Sequence, residues 1–152
     1  MKSINSHFEK KDPLEICDKL KDFFLTQRDV VFAYLFGSAA KDDMGPLSDV
    51  DIAVYLNEAL SNDQRFDRRL DLMGELEGVL KARDKIDLIV LNDVPLLLRF
   101  NVIHKGILFI CRDHKKRIFF ETKTMSTFFD RQYYYERDAD LTIERIARKG
   151  IL

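Results

Sequence analysis

Apolar positions recur along the chain in two rhythms, one helical and one with a period of two. Residues 1–12 are mostly polar, and Pro13 suits the first turn of a helix. Leu14, Cys17, Leu20, Phe24 and Gln27 then follow at three- and four-residue spacing with charges between them, which predicts an amphipathic helix over 13–27. Residues 30–36, VVFAYLF, are continuous, apolar and partly β-branched, the pattern of a buried strand. After Gly37 and Ser38, AAKD suits a short helical turn, and DMGPLS is a loop punctuated by Gly45 and Pro46. Val50, Ile52, Val54 and Leu56 alternate with Asp51, Ala53 and Tyr55, so this strand has two distinct faces. Phe66, Leu70, Met73, Leu76 and Leu80 predict a helix over 62–82. Ile86, Leu88 and Val90 share one face of a short strand. Pro95 opens and Gly106 closes the next helix, and ILFI at 107–110 predicts a fourth strand. Residues 115–147 are helical in pattern, with Ile118, Thr122, Met125, Phe129 and Tyr133 on one face and a break expected near 135–139. Phe128, Tyr134 and Tyr135 widen that face, which fits core packing first and a subunit interface second.

This order of elements predicts an α+β domain, α/β-like, around a small mixed sheet. The 152 residues suit a single domain spanning 1–152, with a core over about 14–110 and a helical C-terminal region over about 115–147. Hydrophobic residues make up 46% and charged residues 34%, ordinary for a globular protein. Lys plus Arg total 25 against 26 for Asp plus Glu, a balance that argues against strong nonspecific binding to nucleic acid or an anionic membrane. Cys17 and Cys111, the only two cysteines, make neither a disulfide scaffold nor a zinc site, and free thiols fit a reducing compartment. The N-terminal stretch lacks the apolar core of a signal peptide, and no apolar run reaches about 18 residues. A cytoplasmic location and no membrane partner are expected.

The chemistry concentrates in 37–51 and at Asp87. Asp49 and Asp51 are residues i and i+2 at the start of a strand, so their carboxylates share a face roughly 6–7 Å apart at the backbone. Asp87 occupies the corresponding polar face of another strand. If those strands are neighbours, the three acids converge and repel one another, a conflict that a hard divalent cation such as Mg2+ or Mn2+ resolves. Read alone, the Asp49 and Asp51 pair equally fits a solvated strand start, and Asp87 fits a salt bridge to Lys85 or Arg83. Gly37 and Ser38 shift the balance. A glycine at the end of a strand permits close backbone approach, and exposed amides with a serine hydroxyl suit phosphate. A triphosphate bridged by metals to the acids completes the set. There is no G-x-x-x-x-G-K-[ST] loop and no G-x-G-x-x-G after a strand, which excludes a P-loop or dinucleotide-binding domain.

Gly37 and Ser38, ten intervening residues, then Asp49-x-Asp51 and a later Asp87 in KIDLIVL resemble the signature of the polymerase-beta-like nucleotidyltransferases. The small size and helical tail are similar to the minimal nucleotidyltransferases (MNT) of HEPN/MNT toxin–antitoxin systems. The resemblance implies a mixed sheet with helices packed on one face and metals and nucleotide on the other. It implies that Gly37, Ser38 and Lys41 contact the nucleotide, and that Asp49, Asp51 and Asp87 are catalytic and ligate two Mg2+ ions, with Mn2+ as an alternative. It further implies transfer of AMP from ATP to a tyrosine hydroxyl of a cognate HEPN ribonuclease toxin, by a two-metal in-line mechanism and within a homo- or hetero-oligomer. Two other functions fit the same residues: a binding antitoxin that keeps the fold as scaffold, and transfer to a small molecule of the aminoglycoside kind. One departure stands out. Relatives read G-S-x-A-R-G where this chain reads GSAAKD, so Lys41 supplies a charge without arginine's planar fork, and Asp42 replaces a glycine.

Arg99 and His104 match the R-x(4–6)-H spacing of HEPN ribonucleases, but that family is all-helical and the two strands around the acids argue against it. His7 and His114 have no partner at an informative spacing. HKKR, 114–117, fits a solvated helix start, a phosphate contact or an acidic partner face.

Overall fold

The computed structural model describes residues 12–37, 49–80 and 85–149. The elements run α1 (Pro13–Phe24), β1 (Val30–Phe36), β2 (Val50–Leu56), α2 (Asn62–Leu80), β3 (Ile86–Val90), α3 (Leu96–Lys105), β4 (Ile107–Cys111) and α4 (His114–Lys149). The strands form one mixed sheet in the order β3-β2-β1-β4. β1 is antiparallel to β2 and β4, while β2 and β3 are parallel and joined through α2. The order of elements and the mixed sheet are those the hydrophobic pattern predicts. The turn expected over 39–42 lies outside the described residues.

Local chemistry explains the boundaries. Asp12 caps α1 by accepting from the Leu14 amide at 3.0 Å, and Pro13 follows in the first turn. α1 stops at Phe24, short of the expected residue 27, and the Arg112 guanidinium from beyond β4 gathers its last carbonyls, donating to Phe24 O at 2.8 Å and Leu25 O at 2.7 Å. Asn92 prolongs the pairing of β2 with β3. Its side chain accepts from Leu56 N at 2.9 Å and donates to Leu56 O at 3.0 Å. Gly106 ends α3 so tightly that a Cβ there would lie 2.4 Å from Val102 O.

Helices cover both faces of the sheet. α1 and α2 pack Leu20, Phe24, Leu72 and Leu76 onto Ile52, Val54, Leu56 and Leu88. The expected helix-covered face is this one. On the opposite face α3 and the first turns of α4 add a second layer, where Val102 and Phe120 meet Phe32, Tyr34 and Ala53. Phe32 stacks on Tyr55 with ring centroids 4.7 Å apart, and Phe120 closes on both.

Two helix faces differ from expectation. In α2 the core side chains are Leu72 and Leu76, while Phe66 and Leu70 are exposed. Arg65, Arg68 and Arg69 turn inward instead, because each finds fixed acceptors: Arg65 on Asp93, Arg68 on Asp29, Arg69 on the Leu88 carbonyl. In α4 the buried residues are Phe120 and Thr124, and Ile118, Phe129 and Tyr133 face outward. α4 is continuous through the expected break, and from Phe129 to Lys149 every residue is exposed. The preference for core packing of its aromatic face is thus corrected: Ile118, Thr122, Met125, Phe129 and Tyr133 are all exposed, while Phe128 beside them stacks on Phe100 at 3.8 Å. Cys17 and Cys111 are both free thiols, and burial pushes Cys17 upward in pKa. No helix among the described residues is long and apolar enough to cross a membrane.

Candidate active site

Three adjacent strands bring the sequence-selected residues together at one end of the sheet. Phe36, the last residue of β1, pairs with Asp51 on β2, and Asp51 pairs with Asp87 on β3. With strands about 4.8 Å apart, Phe36, Asp51 and Asp87 lie in a row across the sheet, and Gly37 follows Phe36 directly. Asp49 precedes β2 at the same end. The alternation of β2 puts Asp51 on the face of Ala53 and Tyr55. Ala53 is fully buried beneath the α3–α4 layer, whereas Asp51 is half-buried, so the covering layer stops between them.

Gly37 and Asp51 pack as a unit. Gly37 has φ +69°, a left-handed conformation that disfavours any side chain. A Cβ built there would fall 2.1 Å from Asp51 Oδ2 and 3.0 Å from its Cγ. The carboxylate therefore occupies the space that the missing side chain leaves. Its pKa is raised, first by burial and then by the charges of Asp87 and Asp49. Asp49 and Asp87 are both exposed.

Asp87 has a partner that the sequence did not suggest. Arg69 Nη2 from α2 stands 3.9 Å from Asp87 Oδ1, while its Nε donates to Leu88 O at 2.6 Å. The local candidates were Lys85 and Arg83. Arg83 lies outside the described residues, and Lys85 makes no ion pair among them. The available signal was the spacing of Arg65, Arg68 and Arg69 along one side of a helix next to that strand.

Ser38, Lys41 and Asp42 lie outside the described residues. Among the described residues, no three His, Cys, Asp or Glu side chains close into a metal cluster. The donor set nevertheless matches a hard divalent cation: three carboxylates at one sheet end, one of them raised in pKa by burial and by the other two charges. Arg99 and His104 do not converge. Arg99 donates to Asn92 O at 2.8 Å, and the His104 ring stacks on Phe100 at 5.5 Å.

The family described as Polymerase beta, Nucleotidyltransferase matches residues 18–115, from within α1 to the start of α4. The chain belongs to this family of nucleotidyltransferases. Among solved structures it is similar to a chain of a toxin–antitoxin crystal structure with AMP-PNP, at 24% identity and TM-score 0.63 over 83% of this chain and 98% of that one. It is similar to a chain of the MntA–HepT toxin–antitoxin, at 23% identity and TM-score 0.56 over 87% and 97%. The third is a complex of a tri-AMPylated Shewanella oneidensis HEPN toxin with an MNT antitoxin, at 23% identity and TM-score 0.56 over 87% and 96%. These likenesses show the fold. No curated protein matches significantly.

Proposed function

We propose that this chain is an MNT-type antitoxin that adenylylates its partner, moving AMP from ATP to a tyrosine hydroxyl of a HEPN ribonuclease toxin. The observation that carries this reading is the pairing of Asp51 with Asp87 on adjacent strands, with Gly37, just past the end of β1, packed against Asp51, in a chain of nucleotidyltransferase family. It is supported by neighbours whose structures pair toxin with antitoxin, one with AMP-PNP and one with a tri-AMPylated toxin.

In this reading Gly37 and Ser38 offer the backbone and hydroxyl that hold the β- and γ-phosphates, with Lys41 beside them. Asp49 and Asp51 would hold both Mg2+ ions, and Asp87 would hold one. When bound, the ions neutralise charge that develops on the α-phosphoryl oxygens. The tyrosine oxygen forms a bond to the α-phosphorus as the bond to the bridging oxygen breaks in line. Asp87 takes the tyrosine proton and pyrophosphate leaves. Gly37 keeps the Asp51 carboxylate against the turn that carries the phosphates, a positioning effect rather than covalent chemistry.

The test is label transfer to the purified toxin from ATP labelled in the α- or the γ-phosphate. Label from the α position alone is the expected result; γ-label on the toxin sinks adenylylation. A second reading, neutralisation by occupancy with the fold as scaffold, is favoured by the exposed half of α4, which carries Phe129, Tyr133, Tyr134 and Tyr135 for a partner. An Asp49→Asn, Asp51→Asn double variant that still neutralises the toxin supports occupancy. One that binds the toxin without neutralising it supports catalysis.

A further inference from the structure

The opposite end of β2 from the acids holds a cavity of about 760 Å³ between the start of α3 and one side of α4. It is lined by Arg99, Lys115, Lys116, Lys123 and Arg131, and none of the five makes an ion pair among the described residues. Its sixth cation, Arg65, is already engaged in a two-pronged pair with Asp93. Glu58, the cavity's one acid, accepts from Tyr55 Oη at 2.7 Å. The chain as a whole has a net charge of −1, so this concentration of positive charge is local, and walls of low polarisability focus its field.

We propose that this cavity binds a phosphorylated small molecule of nucleotide size, through its phosphoryl oxygens. Several features select that class. The volume lies within the range of small-molecule sites, about 300–1,000 Å³. Arg99 is anchored by its bond to Asn92 O at 2.8 Å, and its guanidinium carbon lies 5.7 Å from the Phe120 ring centre. Its Nε is buried with no hydrogen-bond partner, so the charge is held in place without compensation. Thr124 and Thr127 add hydroxyl donors, and the exposed Phe119 ring, with Lys123 Nζ 5.9 Å from its centre, offers a face for a planar base. The cavity is separate from the acid end. Tyr55 lies four residues along β2 from Asp51, about 13 Å at strand rise, and the fully buried Ala53 closes the face between them. HKKR thereby gains a role: its two lysines are the rim of this site.

Equilibrium dialysis of the full chain in EDTA, with ATP and tripolyphosphate as probes, separates this site from the metal-dependent one. Expected is one bound ATP per chain that tripolyphosphate displaces. A Lys115→Gln, Lys116→Gln, Lys123→Gln variant weakens binding at least tenfold, while Asp49→Asn, Asp51→Asn leaves it unchanged. The three lysines are exposed, so the triple variant keeps its thermal unfolding. Arg99→Lys keeps the charge and loses the planar fork; a several-fold loss is expected from it as well. No binding of either probe, or equal loss in the aspartate variant, overturns the proposal. So does an oligoribonucleotide or polyglutamate that binds with the same lysine dependence where ATP and tripolyphosphate do not.

Discussion

At Gly37 a positive φ and a carboxylate packed where a Cβ would sit are two independent demands for glycine. Gly37→Ala should therefore cost about 1–2 kcal/mol of stability, from the left-handed backbone alone. It should cost far more activity, on the order of a hundredfold, because Asp51 is pushed out of register with the phosphates. Urea unfolding and initial rates on one sample read both. Asp51 itself opposes the fold. Its folded pKa is raised from 3.8, so the folded state binds more protons than the unfolded state as pH rises through that window, and stability falls there. The penalty is present above the raised pKa. Asp51→Asn should then raise the melting temperature measured above that window. The gain should vanish below the ordinary carboxylate pKa, where both side chains are neutral. A variant less stable than the parent at pH 7 would falsify the cost of burying that charge beside Asp87 and Asp49. The spacing of Asp49, Asp51 and Asp87 singled out these acids in the sequence only together with Gly37 and Ser38 upstream. The contact between Gly37 and Asp51 was not legible, because the register of β1 on β2 places it, and register is a tertiary property.

Among the elements, strands were the most legible. Each is a short apolar run or a strict alternation, so its ends show in the pattern itself. Helix faces were less so, since a stripe of large apolar residues predicts burial only if nothing else competes for the sheet. In α2 the arginines compete and win through fixed carbonyl and carboxylate acceptors, which leaves Phe66 and Leu70 outside. In α4 the sheet ends before the helix does. The joint between α1 and β4 rests on Arg112, whose guanidinium bonds Val30 O, Phe24 O and Leu25 O. Arg112→Met keeps much of the stem and removes the donors. It should destabilise the chain by about 2–3 kcal/mol through three carbonyls left short of partners. Hydrogen exchange should show the loss first in the last turn of α1; uniform loss across the sheet would contradict the local role.

On the scale of the molecule, the acids and the cationic cavity occupy opposite ends of β2, and α4 continues beyond Arg131, the last of its residues at the cavity. The family match stops at residue 115, so nearly all of α4 lies beyond the shared core. From Gln132 to Lys149 every residue of it is exposed. A chain that ends at residue 132 should change unfolding free energy by less than about 0.5 kcal/mol, yet lose the toxin in co-purification. Retained toxin binding by that shortened chain would move the docking surface elsewhere. The cavity was not legible in the sequence, because its cations come from separate elements and only HKKR stood out. The central claim is adenylyl transfer by the acids at the end of the sheet. Intact mass of the HEPN partner, after incubation with this chain, ATP and Mg2+, tests it most directly. A gain in whole units of AMP is predicted, absent with the Asp49→Asn, Asp51→Asn variant although that variant still binds. A toxin silenced with its mass unchanged would contradict it.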